Sequence, residues 1–290
     1  MGLDHRAVLP DGRVVSYADV GHRDGRVVMY LHGTPGSRMQ AGGPVSDAAV
    51  ALGMRLVAPD RPGYGHSSFV PYRVVDYPAM LVGFADALGI DRFGVVGTSG
   101  GGRYAYACAV SLPDRVTRVA LVGSTAPANL PGVPETWSRA DRRLYATART
   151  SPWLLRVLLA RTARRFRQDP GRMLGMFPDL SAADERAVAR PDVQALVTSM
   201  TAEAFGQGPR AFVHDVRLEA LPWADRLDPP GVPVDVWHGR DDTIVRHEQA
   251  RILEGAIPGV RLHVVDGEGH FSLVMQHSAR YLEPFQQAND

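Results

Sequence analysis

Lysine is absent from the 290 residues, so all 32 basic side chains are arginine. That bias reads as GC-rich coding, not as an arginine-specific function. A single cysteine, Cys108, excludes an intrachain disulfide, and its place among alanines and tyrosines reads as a buried structural thiol. Charge of one sign is also lacking. A net charge of +1 gives no reason to expect nucleic acid or an anionic membrane as partner. No apolar run approaches the length of a membrane span, and Met1–Val15 has no apolar core of a secretory leader, so a cytoplasmic location is expected. Zinc-ligand spacing is missing, so no metal or cofactor is expected. What is present, 45% hydrophobic and 22% charged residues, suits a soluble chain long enough to bury a large core, as one α/β domain or a core with an insertion.

Hydrophobic patterning divides the chain. Arg6–Pro10 and Arg13–Val20 flank Asp11-Gly12 as a hairpin. Short apolar runs at Val27–Leu31, Arg55–Ala58, Phe93–Val96 and Val116–Val122 read as strands. Val45–Leu52, Tyr77–Leu88 and Arg103–Val110 read as helices between them. From about Pro127 to Leu221 the patterns are helical only, including Trp153–Phe166, Ala182–Arg190 and Asp192–Phe205. Alternation resumes with a strand at Val232–Trp237, a helix near His247–Ala256, a strand at Arg261–Val265 and a last helix near Ala279–Gln287. The expected fold is α/β: a mostly parallel twisted sheet with helices on both faces and an inserted helical cap. Residues 1–126 and 222–290 form the core, and residues 127–221 the cap. Ligand chemistry on such a sheet sits beyond the carboxyl ends of the strands.

The pentapeptide Gly97-Thr98-Ser99-Gly100-Gly101 lies at one such end, between an apolar strand and a small-residue helix. A serine at the apex of a strand–turn–helix with glycines around it has the form of a nucleophile elbow. A serine hydroxyl needs a base, and a histidine base works best with an acid holding its ring. Two later strand ends supply them in order. Trp237–Val245 contains Asp241 and Asp242, and Gly267–Phe271 contains His270. The other nine histidines lack such a context; His32 orders its own loop, and His238 reads as structural. Asp266 and Glu268 read as solvated loop carboxylates.

Four motifs in this order resemble the α/β-hydrolase fold superfamily over essentially the whole chain. They are His32-Gly33-Thr34-Pro35-Gly36, Asp60-Arg61-Pro62-Gly63-Tyr64-Gly65, the elbow at Ser99, and Gly269-His270. The resemblance implies that the acid closes the turn Gly239-Arg240-Asp241-Asp242 at Asp242, with Asp241 in reserve. Arg246 stands where that family often has proline. It also implies an oxyanion hole from the Gly100 and Thr34 N–H groups. Asp60–Gly65 shapes the wall of the site and is assigned no chemical step. The cap contributes Trp137, Trp153, Met173, Met176, Phe177, Met200 and Phe205. Of these Trp137 and Trp153, with Phe271, are the expected substrate contacts, and most of the rest are core. The arginines of Trp153–Phe166 read as a solvated face rather than a membrane surface.

The expected activity is a serine hydrolase, carboxylesterase-like, cleaving a small to medium, largely apolar ester, lactone or amide through an acyl-enzyme. Ser99 argues against the dehalogenases and epoxide hydrolases of this fold, which use an aspartate at the elbow. A cofactor-free haloperoxidase or perhydrolase, a proline iminopeptidase-like peptidase, an acyltransferase, and a non-catalytic binding protein on the same fold remain alternatives. The expected partner is a small-molecule substrate; a homodimer is left open.

Overall fold

Strands that are apolar on both faces must be covered on both sides. A computed structural model describes residues 1–177, 179–223 and 227–287 and shows that arrangement. The hairpin comprises β1 (Gly2–Val8) and β2 (Val14–Gly21). Then come β3 (Val27–Leu31), α1 (Pro44–Ala51), β4 (Arg55–Pro59), α2 (Tyr77–Ala87), β5 (Phe93–Thr98), α3 (Gly102–Ser111) and β6 (Val116–Val122). Among the described residues six α-helices separate β6 from the next strand: α4 (Val133–Thr136), α5 (Arg139–Thr150), α6 (Pro152–Gln168), α7 (Ala182–Ala189), α8 (Pro191–Phe205) and α9 (Arg210–Ala220). The chain returns through β7 (Val234–Gly239), α10 (Glu248–Ala256), β8 (Arg261–Val265), α11 (His270–Gln276) and α12 (Ser278–Leu282).

The described strands form one eight-stranded sheet in the order β1-β2-β4-β3-β5-β6-β7-β8. β2 pairs antiparallel with β1 and β4, and every other pairing is parallel. The carboxyl ends of β3, β5, β6, β7 and β8 therefore share one edge. The ladder of β7 starts later than the expected Val232, because Pro233 has no N–H to donate. His270, expected just after the last strand, opens the short helix α11. The last helix is shorter than expected: α12 ends at Leu282 and passes into a 3₁₀ turn at Glu283–Gln286. Among the described residues no helix is long and apolar enough to cross a membrane.

Alternation along the strands splits the core in two. Val28, Tyr30, Leu56, Ala58, Val96, Ala120 and Val122 belong to one buried cluster. Met29, Leu31, Val57, Val95, Val119, Leu121 and Val236 belong to the other. The inserted helices do not keep a core of their own. Leu155 and Phe166 of α6, Val193, Met200 and Phe205 of α8, and Phe212 of α9 join the first cluster, and Met173 does so beside them. Phe205 is fully buried between Phe166 at 5.4 Å and Phe212 at 5.5 Å. Cys108 is buried against α3's neighbours, and burial pushes its thiol well above the ordinary range. Phe205→Ala should lower the unfolding free energy by about 3–5 kcal/mol. A urea melt should still show one transition, since insertion and sheet share a core.

Candidate active site

Close packing forces the composition of the turn after β5. A Cβ at Gly97 would lie 2.7 Å from Ala105 Cβ and from the Gly101 carbonyl oxygen. At Gly101 it would lie 2.3 Å from the Leu31 carbonyl oxygen. Only glycine lets β5 turn so tightly into α3 against the end of β3. Ser99, at the apex, is held at φ +50, the one positive-φ non-glycine among the described residues. A side chain in that region costs of order 1–3 kcal/mol and persists only where the surroundings impose it. Here it presents the hydroxyl, half-buried, beyond the strand end.

The neighbouring strand ends bring an acid and a base together. His270 Nδ1 lies 2.7 Å from Asp242 Oδ2, and both side chains are buried. Asp242 Oδ1 accepts the Ile244 and Val245 N–H groups at 2.9 and 2.8 Å, so both of its oxygens are occupied and the carboxylate cannot rotate. His238 donates from Nε2 to the Val245 carbonyl at 2.7 Å and sits 3.4 Å from Asp242 Oδ2. Burial pushes the Asp242 carboxyl up, but His270 and His238 outweigh it and hold the group well below the usual carboxylate range. For His270, burial favours the neutral ring. The Asp242 charge and hydrogen bond and the Asp184 charge prevail and raise it above its ordinary 6.5. Asp241 is exposed. The ring of His270 lies over the end of β6: a Cβ at Gly123 would approach its Cε1 and Nδ1 to 3.2 Å. With Nδ1 committed to Asp242, Nε2 is the nitrogen available for proton transfer.

The loop after β3 passes beside the elbow. A Cβ at Gly100 would lie 2.5 Å from Thr34 Oγ1. His32 holds its own loop, with Nδ1 donating to the Gly33 carbonyl at 2.8 Å and Nε2 accepting the Arg61 N–H at 3.2 Å. The guanidinium of Arg61 donates to the carbonyls of His32 and Gly33 and to Thr34 Oγ1. It is ion-paired with Asp215 of α9 at 2.6 Å, both side chains fully buried. Asp215 also accepts from Thr34 Oγ1 at 3.0 Å, Tyr64 at 3.0 Å, Tyr72 at 3.2 Å and Tyr104 at 2.8 Å. Burial works against its charge, but Arg61 and Arg103 keep it far below the usual range. Arg103, buried on α3, donates from Nε to the Gly100 carbonyl at 2.9 Å and lies 3.7 Å from Glu219. Among the described residues no group of three or more His, Cys, Asp or Glu could hold a metal ion.

A family model described as the alpha/beta hydrolase fold matches residues 26–275. The chain belongs to that family. It is 27% identical over 298 aligned residues to a 2-hydroxy-6-oxo-2,4-heptadienoate hydrolase of Pseudomonas putida, covering 98% of this chain and 97% of that protein. It is 29% identical to a 2-hydroxy-6-oxononadienedioate/2-hydroxy-6-oxononatrienedioate hydrolase of Burkholderia vietnamiensis, covering 92% and 88%. Among solved structures it is similar to the enol-lactonase of Burkholderia xenovorans, with a TM-score of 0.68, 24% identity, and 97% and 99% of the two chains covered. The last is a likeness of fold.

Within this alpha/beta hydrolase fold, Ser99, Thr34, Gly100, Asp242 and His270 all lie at the shared strand edge. The expected substrate contacts separate. Phe271 is buried, edge-on to His270 at 5.9 Å and to Phe177 at 5.6 Å. Trp137 is half-buried against Tyr145 at 4.8 Å, with Arg149 over its ring. Trp153 is not brought to these residues. It is 70% exposed on the outer side of α6, in a surface groove with Phe69, Arg156 and Arg210. Sequence reasoning missed Arg103, Asp184 and Asp215 beside these residues, and it gave Arg61 only a place in a wall-forming loop. Asp215 left a trace: it stands on the apolar stripe Ala211, Phe212, Val216 and Ala220 of α9, where a lone carboxylate needs partners from elsewhere.

The raised His270 has a measurable consequence. If His270 serves as a general base it must be neutral to accept a proton, so kcat/KM should fall as pH drops through a value above the ordinary 6.5. A pH–rate profile that stays flat to well below that value would contradict this environment.

Proposed function

We propose that the chain is a serine hydrolase, carboxylesterase-like, with Ser99 as nucleophile, His270 as general base and acid, and Asp242 orienting His270. One observation carries this reading: a serine held at φ +50 at the end of β5, with a buried carboxylate–imidazole pair at the ends of β7 and β8 and its ring over the end of β6. Ser99 Oγ attacks a carbonyl carbon as its proton passes to His270 Nε2. The imidazolium is stabilised by Asp242, which stays ionised. The oxyanion receives the N–H groups of Thr34 and Gly100, in reach of the positive end of α3. His270 then protonates the leaving group. Water, deprotonated by the same nitrogen, releases the acyl group from Ser99. The helices of residues 127–221 act as the cap over this edge and supply its apolar walls.

The substrate we infer is a small to medium carbonyl compound, an ester, lactone or amide. The relatives' names point to two compounds worth adding to the assay, an enol-lactone and, outside the acyl derivatives, a 2-hydroxy-6-oxo dienoate, whose 6-oxo carbonyl is a ketone. Ser99→Ala should abolish labelling by a fluorophosphonate probe while the protein stays folded; persistent labelling would remove Ser99 from its role. Asp242→Asn should lower turnover of a p-nitrophenyl ester by up to about 10⁴-fold. Asp241→Asn, at an exposed position, should leave it nearly unchanged.

A further inference from the structure

Two buried carboxylates carried by the helices between β6 and β7 spend their hydrogen bonds on groups beside Ser99 and His270 instead of on those helices. Asp184 on α7 is fully buried. Its Oδ2 accepts the backbone N–H of His270 at 2.8 Å, and its Oδ1 accepts that of Ser272 at 2.8 Å. These are orphan donors of the first turn of α11, which no earlier residue of the same helix can satisfy. Ordinarily a residue just before the helix would cap them; here a distant helix supplies the carboxylate, at the positive end of the helix dipole. The residue before His270 is built to admit it. A Cβ at Gly269 would lie 2.3 Å from Asp184 Oδ2 and 2.3 Å from Ser181 Oγ. The glycine of the Gly269-His270 motif is thus a close-approach glycine for a carboxylate of the insertion.

Asp215 on α9 does the corresponding work on the other side of the elbow. Arg61 grips the carbonyls of His32 and Gly33, and Asp215 grips both Arg61 and the Thr34 hydroxyl. The His32 and Gly33 carbonyls and the Thr34 hydroxyl are therefore tied, directly or through Arg61, to one carboxylate of the residues between β6 and β7, while the Gly33 N–H donates to Gln40 at 2.8 Å. Burying an ionised carboxylate costs several kcal/mol, and apolar residues of similar volume would often stabilise a fold as well or better. Stability alone does not account for two such groups, each aimed at a group of the reaction.

We propose that Asp184 and Asp215 are positioning residues for the reaction, the first fixing the backbone of His270 and the second fixing the oxyanion loop at Thr34. The insertion is then a fixed half of the active site, not a lid that closes over a finished one. This assignment presupposes the serine-hydrolase reading of Ser99.

Asp184→Asn keeps the shape and one acceptor but removes the charge. The groups that face His270 are Asp242 with His238 behind it on β7, and Asp184 on α7. On its own loop lies Glu268, paired with His277 at 3.0 Å and influenced by Arg186 of α7. Loss of the Asp184 charge removes one of the influences that favour the imidazolium, so the acid limb of kcat/KM moves to lower pH. That shift reports the charge alone; the positioning role is read from kcat at unchanged KM in the folded variant. Turnover of p-nitrophenyl butyrate by Asp184→Asn should also fall about ten- to hundredfold in kcat with KM little changed.

For the second residue, Thr34→Val deletes only the hydroxyl that Asp215 holds. It should lower kcat by about tenfold or more with KM little changed, and Thr34→Ser should restore it. Asp215→Asn should add little on top of Thr34→Val. Where Asp215→Asn does not fold, the Thr34 pair carries the test. Wild-type kcat and an unmoved pH limb in folded Asp184→Asn, or wild-type kcat in Thr34→Val, would overturn the corresponding half of the proposal. Ser99→Ala run alongside separates the two levels. Hydrolysis that survives it defeats the serine-hydrolase reading itself, whereas Ser99-dependent hydrolysis indifferent to the other variants defeats only the positioning roles.

Discussion

The buried pair of Arg61 and Asp215 is the contact on which the rest of the active edge hangs. Its members come from chain segments far apart, the loop after β4 and helix α9 of the insertion, and both are sealed from water. Such a pair is tolerable only when nearly every lone pair and proton is used. That condition is met by Tyr64, Tyr72 and Tyr104 around the carboxylate and by the carbonyls of His32 and Gly33 around the guanidinium. Removing either member would strand a buried charge, typically at a cost of about 3–5 kcal/mol. The pair therefore joins the loop after β3, the wall formed by Asp60–Gly65 and the insertion into one rigid body.

Beside it, the elbow solves a packing problem with glycine. Ser99 can occupy φ +50 because Gly97 and Gly101 let β5, α3 and the loop after β3 meet at distances that no side chain would permit. Strain at the serine is thus imposed by the shortest contacts in the neighbourhood. The Asp242–His270 pair is set by a different device, saturation of the Asp242 carboxylate by two backbone N–H groups and two histidines. The three devices share one edge because the parallel strands all end there.

Much of the fold was legible in the chain. Strands apolar on both faces, spaced by helical patterns, imply a parallel sheet, and a long stretch without strands implies a helical insertion. The tight turn around Ser99 was legible too, because glycine there is a local requirement, and the strand ends before Asp242 and His270 could be read from the apolar runs that precede them. Less legible was the start of α11 at His270. Its helix signal is weak because its N-terminal acceptor lies on α7, distant in sequence and close only in space. Trp153 looked like a pocket residue because an aromatic side chain says nothing of its direction; the apolar face that α6 buries is instead Leu155, Leu159, Ala163 and Phe166.

By itself the sequence determined the α/β pattern, the glycine-bound turn around Ser99 and the candidates for acid, base and oxyanion donors, because each follows from local backbone sterics or from spacing along a strand. Tertiary structure decided which of two adjacent aspartates meets His270, and which acids of the insertion reach the core. It also drew the Asp60–Gly65 loop into the site through Arg61. Those choices depend on pairing groups far apart along the chain, 154 residues for Arg61 and Asp215 and 181 for Thr34 and Asp215. No periodicity or propensity records a contact between segments that meet only when the sheet is assembled and the insertion is packed upon it.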